Sequence, residues 1–307
     1  MAVQPTLFIE QTVLGLMMGG IYAAVGVGLT MIFGVMKLSN FAHGEFYMIG
    51  AFLTYTLVTA LGGDPYLLAP VSAIAVGLVG IALNKIVFLS LYKELREAKG
   101  AAAFFFQDLR FIMLTIGLSI LFVDLALVLW GPIPIAIPSA FTSYVVKLPG
   151  GLSFSLARIM AFIVAMVSLV VLYTFLMTTK TGKAIRATSQ NPSAAALAGI
   201  NTYKIYDITM FISTSLAALS GGILGPIYNI YPTMGLDVVA KAFVVVITGG
   251  MGNIVGSMLA GFLIGLAEGW GGLIFGTEYR QVVAFLIMIL VLWFRPQGIL
   301  GGRRDEC

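Results

Sequence analysis

A chain of 307 residues with 60% hydrophobic residues, 10% charged residues and a mean hydropathy of +1.03 is not an ordinary soluble protein, because soluble domains carry about 25% charged residues. The net charge of +4 is small, and the basic residues cluster beside predicted membrane ends, which argues against a nucleic-acid partner. The lone Cys307 excludes a disulfide within the chain and a cysteine-based metal cluster. The sequence therefore predicts an all-α integral membrane protein, since the apolar runs lack the alternation of a β-barrel.

Eight apolar runs are long enough to cross a bilayer, which takes about 20 residues. The first run follows an N-terminus without Lys or Arg and has no cleavage pattern, so we expect it to remain in the protein. A further run, 239–250, is too short to cross alone and ends in the glycine-rich "TGGMGN". That pattern predicts a short re-entrant or broken helix. The eight predicted spans are 11–35, 46–61, 67–90, 111–130, 157–178, 205–228, 254–270 and 280–295.

The distribution of Lys and Arg predicts the orientation of the chain in the membrane. Thirteen of the 17 lie in or beside the loops 91–110 and 179–204, the link after the first span, and the C-terminal tail. Because basic loops stay in the cytoplasm, we expect the N-terminus outside and the C-terminus in the cytoplasm of a bacterial inner membrane. This orientation requires the 239–270 region to enter the membrane and return as a pair.

Two connecting segments carry their own signals within what we expect to be a single transmembrane domain, 1–307. The outer segment, about 131–156, is rich in Pro and Gly, and either a small hairpin over the outer mouth or an unstructured connector fits it. The cytoplasmic segment, about 179–204, is basic and alanine-rich, with "SQNP" able to cap a short helix and Gly199 able to stop it. A short helix there is either a docking element for a soluble partner or a solvated linker.

The stretch "NFAHGEFYMIG", residues 40–50, places the only histidine of the chain, His43, two residues from Glu45 inside an apolar run. Two such groups fall short of a metal site, offer no evident proton relay, and have no nucleophile for catalysis. We therefore expect the start of an interrupted helix, with Asn40 as its cap and Glu45 in its first turn. The stretch from Thr248 to Phe262 is a comparable glycine-rich break, and paired breaks point to a substrate path.

Other ionisable residues within predicted spans are candidates for function because their burial in lipid is costly. Lys241 begins the short apolar run and either snorkels outward or faces a cavity, where it would attract a carboxylate. Asp124 and Glu268 lie near span ends, where an interfacial or helix-pairing acid is the ordinary interpretation. The predicted path residues are Asn40, His43, Glu45, Lys241, Gly249, Gly250, Gly252 and Asn253.

Several long stretches together resemble the permeases of branched-chain amino-acid ATP-binding-cassette (ABC) importers, of the LivH-like type. They are "NFAHGEFYMIGAF", "GKAIRATSQNPSAAALAGIN", "KAFVVVITGGMGNIVGSMLAG", "AEGWGG" with "TEYR", and "PQGILG". The loop "SLYKELREAKGAAAFFFQDLRF", 90–111, departs from the family in its length and its lack of proline. This departure puts the exact subfamily in doubt, and permeases for urea, amides or other amino acids stay open as alternatives.

The resemblance implies a polytopic helical ABC importer permease that pairs with a second permease, LivM-like or another copy of itself. It also implies two cytoplasmic ATPase subunits and a periplasmic substrate-binding protein. The permease itself would be in contact with membrane lipid. The chain has no G-x-x-x-x-G-K-[ST] loop, so we expect no cofactor bound by this chain, no enzyme activity of its own, and ATP use by the partners. A secondary transporter or channel working without ATP is the rival interpretation. The implied ATPase-coupling residues are Gly182, Arg186, Asn191, Ala195, Gly199 and Ile200.

Overall fold

The computed structural model describes residues 5–92, 101–147 and 151–301, with only the helical backbone for 101–108. Within these ranges the chain is helical apart from one small strand pair and the connections. Helix α1 continues into a π-helical turn, Ile32–Met36, and helix α3 continues as far as Tyr92. The helices are α1 Pro5–Met31, α2 His43–Leu61, α3 Pro65–Leu83, α4 Ala101–Trp130, α5 Leu156–Thr178, α6 Lys180–Gln190, α7 Pro192–Leu197, α8 Thr202–Leu224, α9 Met234–Gly249, α10 Ile254–Ile274 and α11 Arg280–Phe294.

The eight predicted spans are confirmed, since each falls on a helix long and apolar enough to cross a membrane. Several boundaries differ from the prediction, and α1 begins at Pro5, ahead of the predicted 11. The fourth helix begins at Ala101, ahead of the apolar run, and α8 ends at Leu224 because Gly225 and Pro226 follow it. The short helix α9 begins at Met234, earlier than the predicted 239. Parts of the predicted loops, 93–100 and 148–150, and the tail from 302 onward lie outside the described residues.

Helices α1 and α10 form the most extensive contact of the bundle, and they run antiparallel. Trp270 near the end of α10 donates a hydrogen bond to Thr12 at the start of α1, over 2.9 Å. The backbones approach so closely that a β-carbon built on Gly265 would lie 2.4 Å from the carbonyl oxygen of Gly15. Small residues at a helix contact are how membrane helices gain packing energy, because lipid supplies little hydrophobic drive between them.

Helices α2 and α9 both begin inside the bundle and not at its surface. The first turn of α2 is buried, and Nε2 of His43 lies 3.1 Å from the carbonyl oxygen of Val25 in the middle of α1. The first turn of α9 packs on it, with Gly235 against Gly44 and the carboxylate of Glu45. The prediction of a broken helix is therefore confirmed, since a non-helical segment made mostly of turns, 225–233, precedes a helix of 16 residues.

We call the end of the bundle that holds the end of α1, the α9–α10 turn and helices α6 and α7 the basic end. Gly34 lies against Gly252 there, and α6 packs on the π-helical turn of α1. At the opposite end, strands β1 Val145–Lys147 and β2 Ser153–Ser155 pair antiparallel. The predicted hairpin is thus confirmed. Ile135 and Ile230 exchange backbone hydrogen bonds of 2.9 and 2.8 Å, which anchor the link between α8 and α9 to this end.

Helices α4, α5 and α11 lie at the periphery of the bundle and present apolar side chains to their surroundings. Val128 on α4 and Trp293 on α11 are 82% and 80% exposed. A membrane protein satisfies such surfaces with lipid or with a neighbouring subunit. Most of the buried polar and charged side chains lie on α1, α2, α8, α9 and α10, and others lie on α3, α4 and α6.

The α1–α10 contact predicts that valine at Gly265 lowers the thermal unfolding midpoint more than valine at Gly117 does. Gly265→Val should lower the thermal unfolding midpoint of the detergent-solubilised protein, because overpacking costs about 1–3 kcal/mol and the clash is with backbone atoms. Gly117→Val in α4 is the matched control, since nothing lies within 4 Å of a β-carbon at Gly117. Equal midpoints for the two variants in a thermal-shift assay would contradict the importance of this contact.

Candidate functional site

A cavity of about 690 Å³ lies in the half of the bundle opposite the basic end. It is bounded by α1, the segment between α8 and α9, α9 and α10, and it opens where Tyr228 and Asp237 are exposed. The volume falls within the range of about 300–1,000 Å³ that small-molecule sites occupy. Arg158 and Arg280 lie at its periphery.

The walls of the cavity are largely apolar and aromatic. Leu14 and Met18 come from α1, Leu224 from the end of α8, and Met234 and Val238 from the first turns of α9. Because α9 begins inside the bundle, its first two turns line the cavity and do not lie at the membrane surface. Such walls suit an apolar group, while a few polar groups set its orientation.

Three side chains form a charged cluster in this cavity, which we call the floor cluster: Tyr22, Lys241 and Glu268. Lys241 Nζ donates to Tyr22 Oη over 2.8 Å and to Glu268 Oε2 over 3.2 Å, and Tyr22 Oη donates to Glu268 Oε2 over 2.7 Å. Glu268 Oε1 lies 3.1 Å from Nζ but accepts no hydrogen bond. The side chain of Glu268 is 7% exposed and that of Lys241 is 25% exposed, so the ammonium is the more accessible charge.

The floor cluster exists because burying one charge alone is far more costly than burying a hydrogen-bonded pair. Lys241 sits on the short helix α9, and Glu268 sits across from it on α10. Sequence reasoning identified Lys241 but gave Glu268 an interfacial or helix-pairing role. Two opposite intramembrane charges in the C-terminal half are a signal that could have predicted their pairing.

The predicted pair His43 and Glu45 is buried outside this cavity, and the two side chains have different neighbours. Glu45 Oε1 accepts a hydrogen bond of 2.9 Å from Ser119 on α4, while Glu45 Oε2 and His43 Nδ1 are buried without a partner. The prediction that Asn40 caps the helix is wrong in detail. Ala42 occupies the cap position. The Asn40 side chain accepts a hydrogen bond from the backbone N–H of Ala42, within the turn at 41–42 that precedes the helix. Asn40, His43 and Glu45 do not line the cavity.

The glycine-rich break lies at the basic end, away from the cavity. Asn253 caps α10, since its side-chain oxygen accepts from Gly256 N–H over 2.9 Å. The C-terminal segment closes over this turn, with Ile299 N–H donating to Thr248 O and Asn253 Nδ2 donating to Leu300 O. Gly250, at φ +103°, is packed against Gly301. Of the eight predicted path residues, Lys241 alone lines the cavity.

Helices α6 and α7 form an elbow at the basic end. Asn191 caps α7 by accepting from Ala194 N–H over 3.0 Å, Pro192 takes the first helical position, and Gly199 ends the turn at φ +82°. Gly182 and Ala195 are buried against the bundle, and Ile200 packs beside them, so these three residues hold the elbow in place. The open surface of the elbow includes Asn191, Gly199 and Leu197, which is 90% exposed. Arg186 Nη1 contacts Met177 Sδ at 3.2 Å.

Metal chemistry finds no support in the described residues. No group of three or more His, Cys, Asp or Glu in 5–92, 101–147 and 151–301 is placed to hold a metal ion. The polar groups of the cavity are instead those of a site that binds a solute reversibly.

The described residues hold eight helices long and apolar enough to cross a membrane, together with a solute-sized cavity, which is the architecture of a polytopic, multi-pass membrane protein. The family model for the branched-chain amino acid transport system permease component matches residues 11–292, and the chain belongs to this family. It is 32% identical to the high-affinity branched-chain amino acid transport system permease protein LivH of Salmonella typhimurium, over 97% of each chain. It is 34% identical to the corresponding BraD of Pseudomonas aeruginosa, over 97% of each, and 28% identical to a probable LivH of Methanocaldococcus jannaschii, over 90% of this chain and 87% of the other. No solved structure matches the chain.

The cavity predicts a pattern of water access that cysteine labelling can measure. In a background with Cys307→Ser, Val238→Cys should react with a membrane-impermeant maleimide, because Val238 lines the cavity. Ser257→Cys is the control, since Ser257 is fully buried beside Thr30 between α1 and α10. Labelling from outside intact cells would also place the cavity on the outer side, and equal labelling of both variants would contradict the cavity.

Proposed function

We propose that this chain is the transmembrane permease subunit of an ABC importer that translocates branched-chain or other apolar amino acids delivered by a periplasmic binding protein. The observation that carries this proposal is the cavity, which combines apolar walls with a charged floor. An apolar amino acid has the same two halves, a hydrocarbon side chain and a charged backbone end. The names of the relatives point to the same substrate class.

The mechanism is alternating access, in which the pathway opens first to one side of the membrane and then to the other. The binding protein docks at the end with Arg158 and the β1–β2 hairpin, which the distribution of Lys and Arg places outside. Closure of the ATPase dimer moves the elbow at the basic end, in the cytoplasm. The contacts of Gly34 with Gly252 and of Gly250 with Gly301 keep the basic end closed in the state described here.

The partners follow from what this chain lacks and from its exposed surfaces. The chain has no phosphate-binding loop, so two cytoplasmic ATPase subunits supply ATP hydrolysis. The exposed apolar spans at the periphery leave room for a second permease, of the LivM type or a further copy of this chain. The path residues at positions 40–45 and 249–253 would then act as packing or gating residues below the cavity.

Reconstitution tests the function directly. The chain, co-purified with its partner subunits and placed in vesicles with the binding protein, should take up L-leucine only when ATP is supplied to the ATPase side. Uptake of urea or of an amide in preference to L-leucine would select the alternative permease function. Uptake by the lone chain, driven by an ion gradient without ATP, would select a secondary transporter.

The exposed tip of the elbow gives a mutational test of coupling. Leu197→Glu should reduce uptake by at least about tenfold while ATPase subunits still hydrolyse ATP, because truncating or charging a central interface residue costs 2 kcal/mol or more. The side chain is 90% exposed, so insertion and folding should be unaffected. Leu197→Met is the control and should retain uptake, since its side chain keeps the apolar contact. Full coupled uptake by Leu197→Glu would remove the elbow tip from the ATPase contact.

A further inference from the structure

We infer that the floor cluster is a recognition site for the zwitterionic head group of an α-amino acid, in which the substrate carboxylate pairs with Lys241 and the substrate ammonium pairs with Glu268. This inference rests on the proposed function and adds which side chains hold the two charged groups of the substrate. It assigns to Glu268 and Tyr22 a role in binding that goes beyond holding α9 against α10.

The first argument is charge balance. Lys241 and Glu268 form a pair without net charge, and an α-amino acid zwitterion also has no net charge. Exchange of partners leaves every buried charge facing an opposite charge, before and after the substrate enters. A monocarboxylate that pairs with Lys241 would leave Glu268 uncompensated, and a simple amine that pairs with Glu268 would leave Lys241 uncompensated, which is costly at low dielectric.

The second argument is the unused hydrogen-bonding capacity of the cluster. Glu268 Oε1 is buried and accepts no hydrogen bond although Lys241 Nζ is 3.1 Å away. Buried carboxylate oxygens normally accept hydrogen bonds. An oxygen that is near an ammonium but accepts no hydrogen bond can therefore accept one from a further donor. The three N–H bonds of a substrate ammonium provide such a donor. Tyr22 Oη, which now accepts from Lys241 and donates to Glu268, can keep both bonds or donate to the incoming carboxylate.

The third argument is the arrangement of the other charges that face the cavity. Three basic residues and two acidic residues line it, so its field attracts a carboxylate first. Arg158 and Arg280 lie at the periphery and Lys241 at the floor, while Asp237 lies one helical turn before Lys241 on α9. The more exposed ammonium of Lys241 therefore meets the carboxylate, and the apolar side chain is left against Leu14, Met18 and Val238.

A neutral double variant separates binding from packing. A buried ion pair replaced by neutral groups of similar shape usually keeps or gains stability, so Lys241→Met with Glu268→Gln should assemble normally. If the pair only holds helices together, the double variant should transport L-leucine like wild type. If the pair binds the substrate, ATP-dependent uptake should fall by at least about tenfold, because two charge-assisted hydrogen-bonding partners are lost.

The chain offers a matched control pair at the basic end. Lys85 and Asp207 approach to 3.9 Å between α3 and α8, outside the cavity. Lys85→Met with Asp207→Asn should retain uptake. If wild-type complex shows no ATP-dependent uptake of L-leucine at all, the proposed function fails. If wild type and the neutral floor variant transport equally, the zwitterion site alone is overturned.

A binding measurement on unaltered protein decides the inference without any variant. Saturation-transfer nuclear magnetic resonance detects weak ligands, and three probes share the leucine side chain but differ in their charged groups: L-leucine carries both, 4-methylpentanoate only the carboxylate, and isoamylamine only the ammonium. The detergent-solubilised complex, without binding protein, should give a signal for L-leucine that is several times stronger than for either singly charged probe. Equal signals from all three probes would overturn the proposed recognition.

Discussion

The close contact between α1 and α10 determines where everything else in this protein can lie. Glycines at 15, 19, 261 and 265 let the two backbones touch, and that approach brings Tyr22 on α1 within 2.7 Å of Glu268 on α10. Larger residues at these positions would separate the helices and leave the Glu268 carboxylate without its tyrosine donor. In lipid, where apolar side chains gain little by leaving the solvent, packing of this kind is the main source of helix association.

Helices α2 and α9, which begin inside the bundle, determine where polar groups lie within it. A full-length span presents its charged and polar ends to the membrane surface, whereas α2 and α9 place their first turns among other helices. The non-helical segment before α9 lies at the end opposite the basic end, lines the cavity at Tyr228 and Asn229, and exchanges backbone hydrogen bonds with Ile135 through Ile230. As a result, Lys241 lines the cavity and also contacts Glu268 on the neighbouring helix α10.

Local patterns in the sequence predicted a large part of this structure. The apolar runs identified eight spans, because the thickness of the bilayer sets their length. The cap in "SQNP" was predicted correctly, and Asn191 supplies it, since a cap depends on residues within one helical turn. The starts of α4 and α9 were missed, because each helix begins ahead of its apolar run. The ATPase-coupling and translocation roles stay predictions, and the structure adds the exposed Leu197 to the first group.

By itself the sequence determined the membrane class, the spans, the family resemblance and the elbow, all of which follow from composition or from neighbouring residues. Only the tertiary structure decided which polar residues meet. His43, Glu45, Lys241 and Glu268 looked equivalent as charges in apolar runs. In the structure His43 lies against Val25 of α1 and Glu45 against Ser119 of α4, whereas Lys241 and Glu268 form the floor of the cavity. The reason is physical: Lys241 and Glu268 are 27 residues apart in the chain, and it is the antiparallel packing of α9 on α10 that brings them into contact.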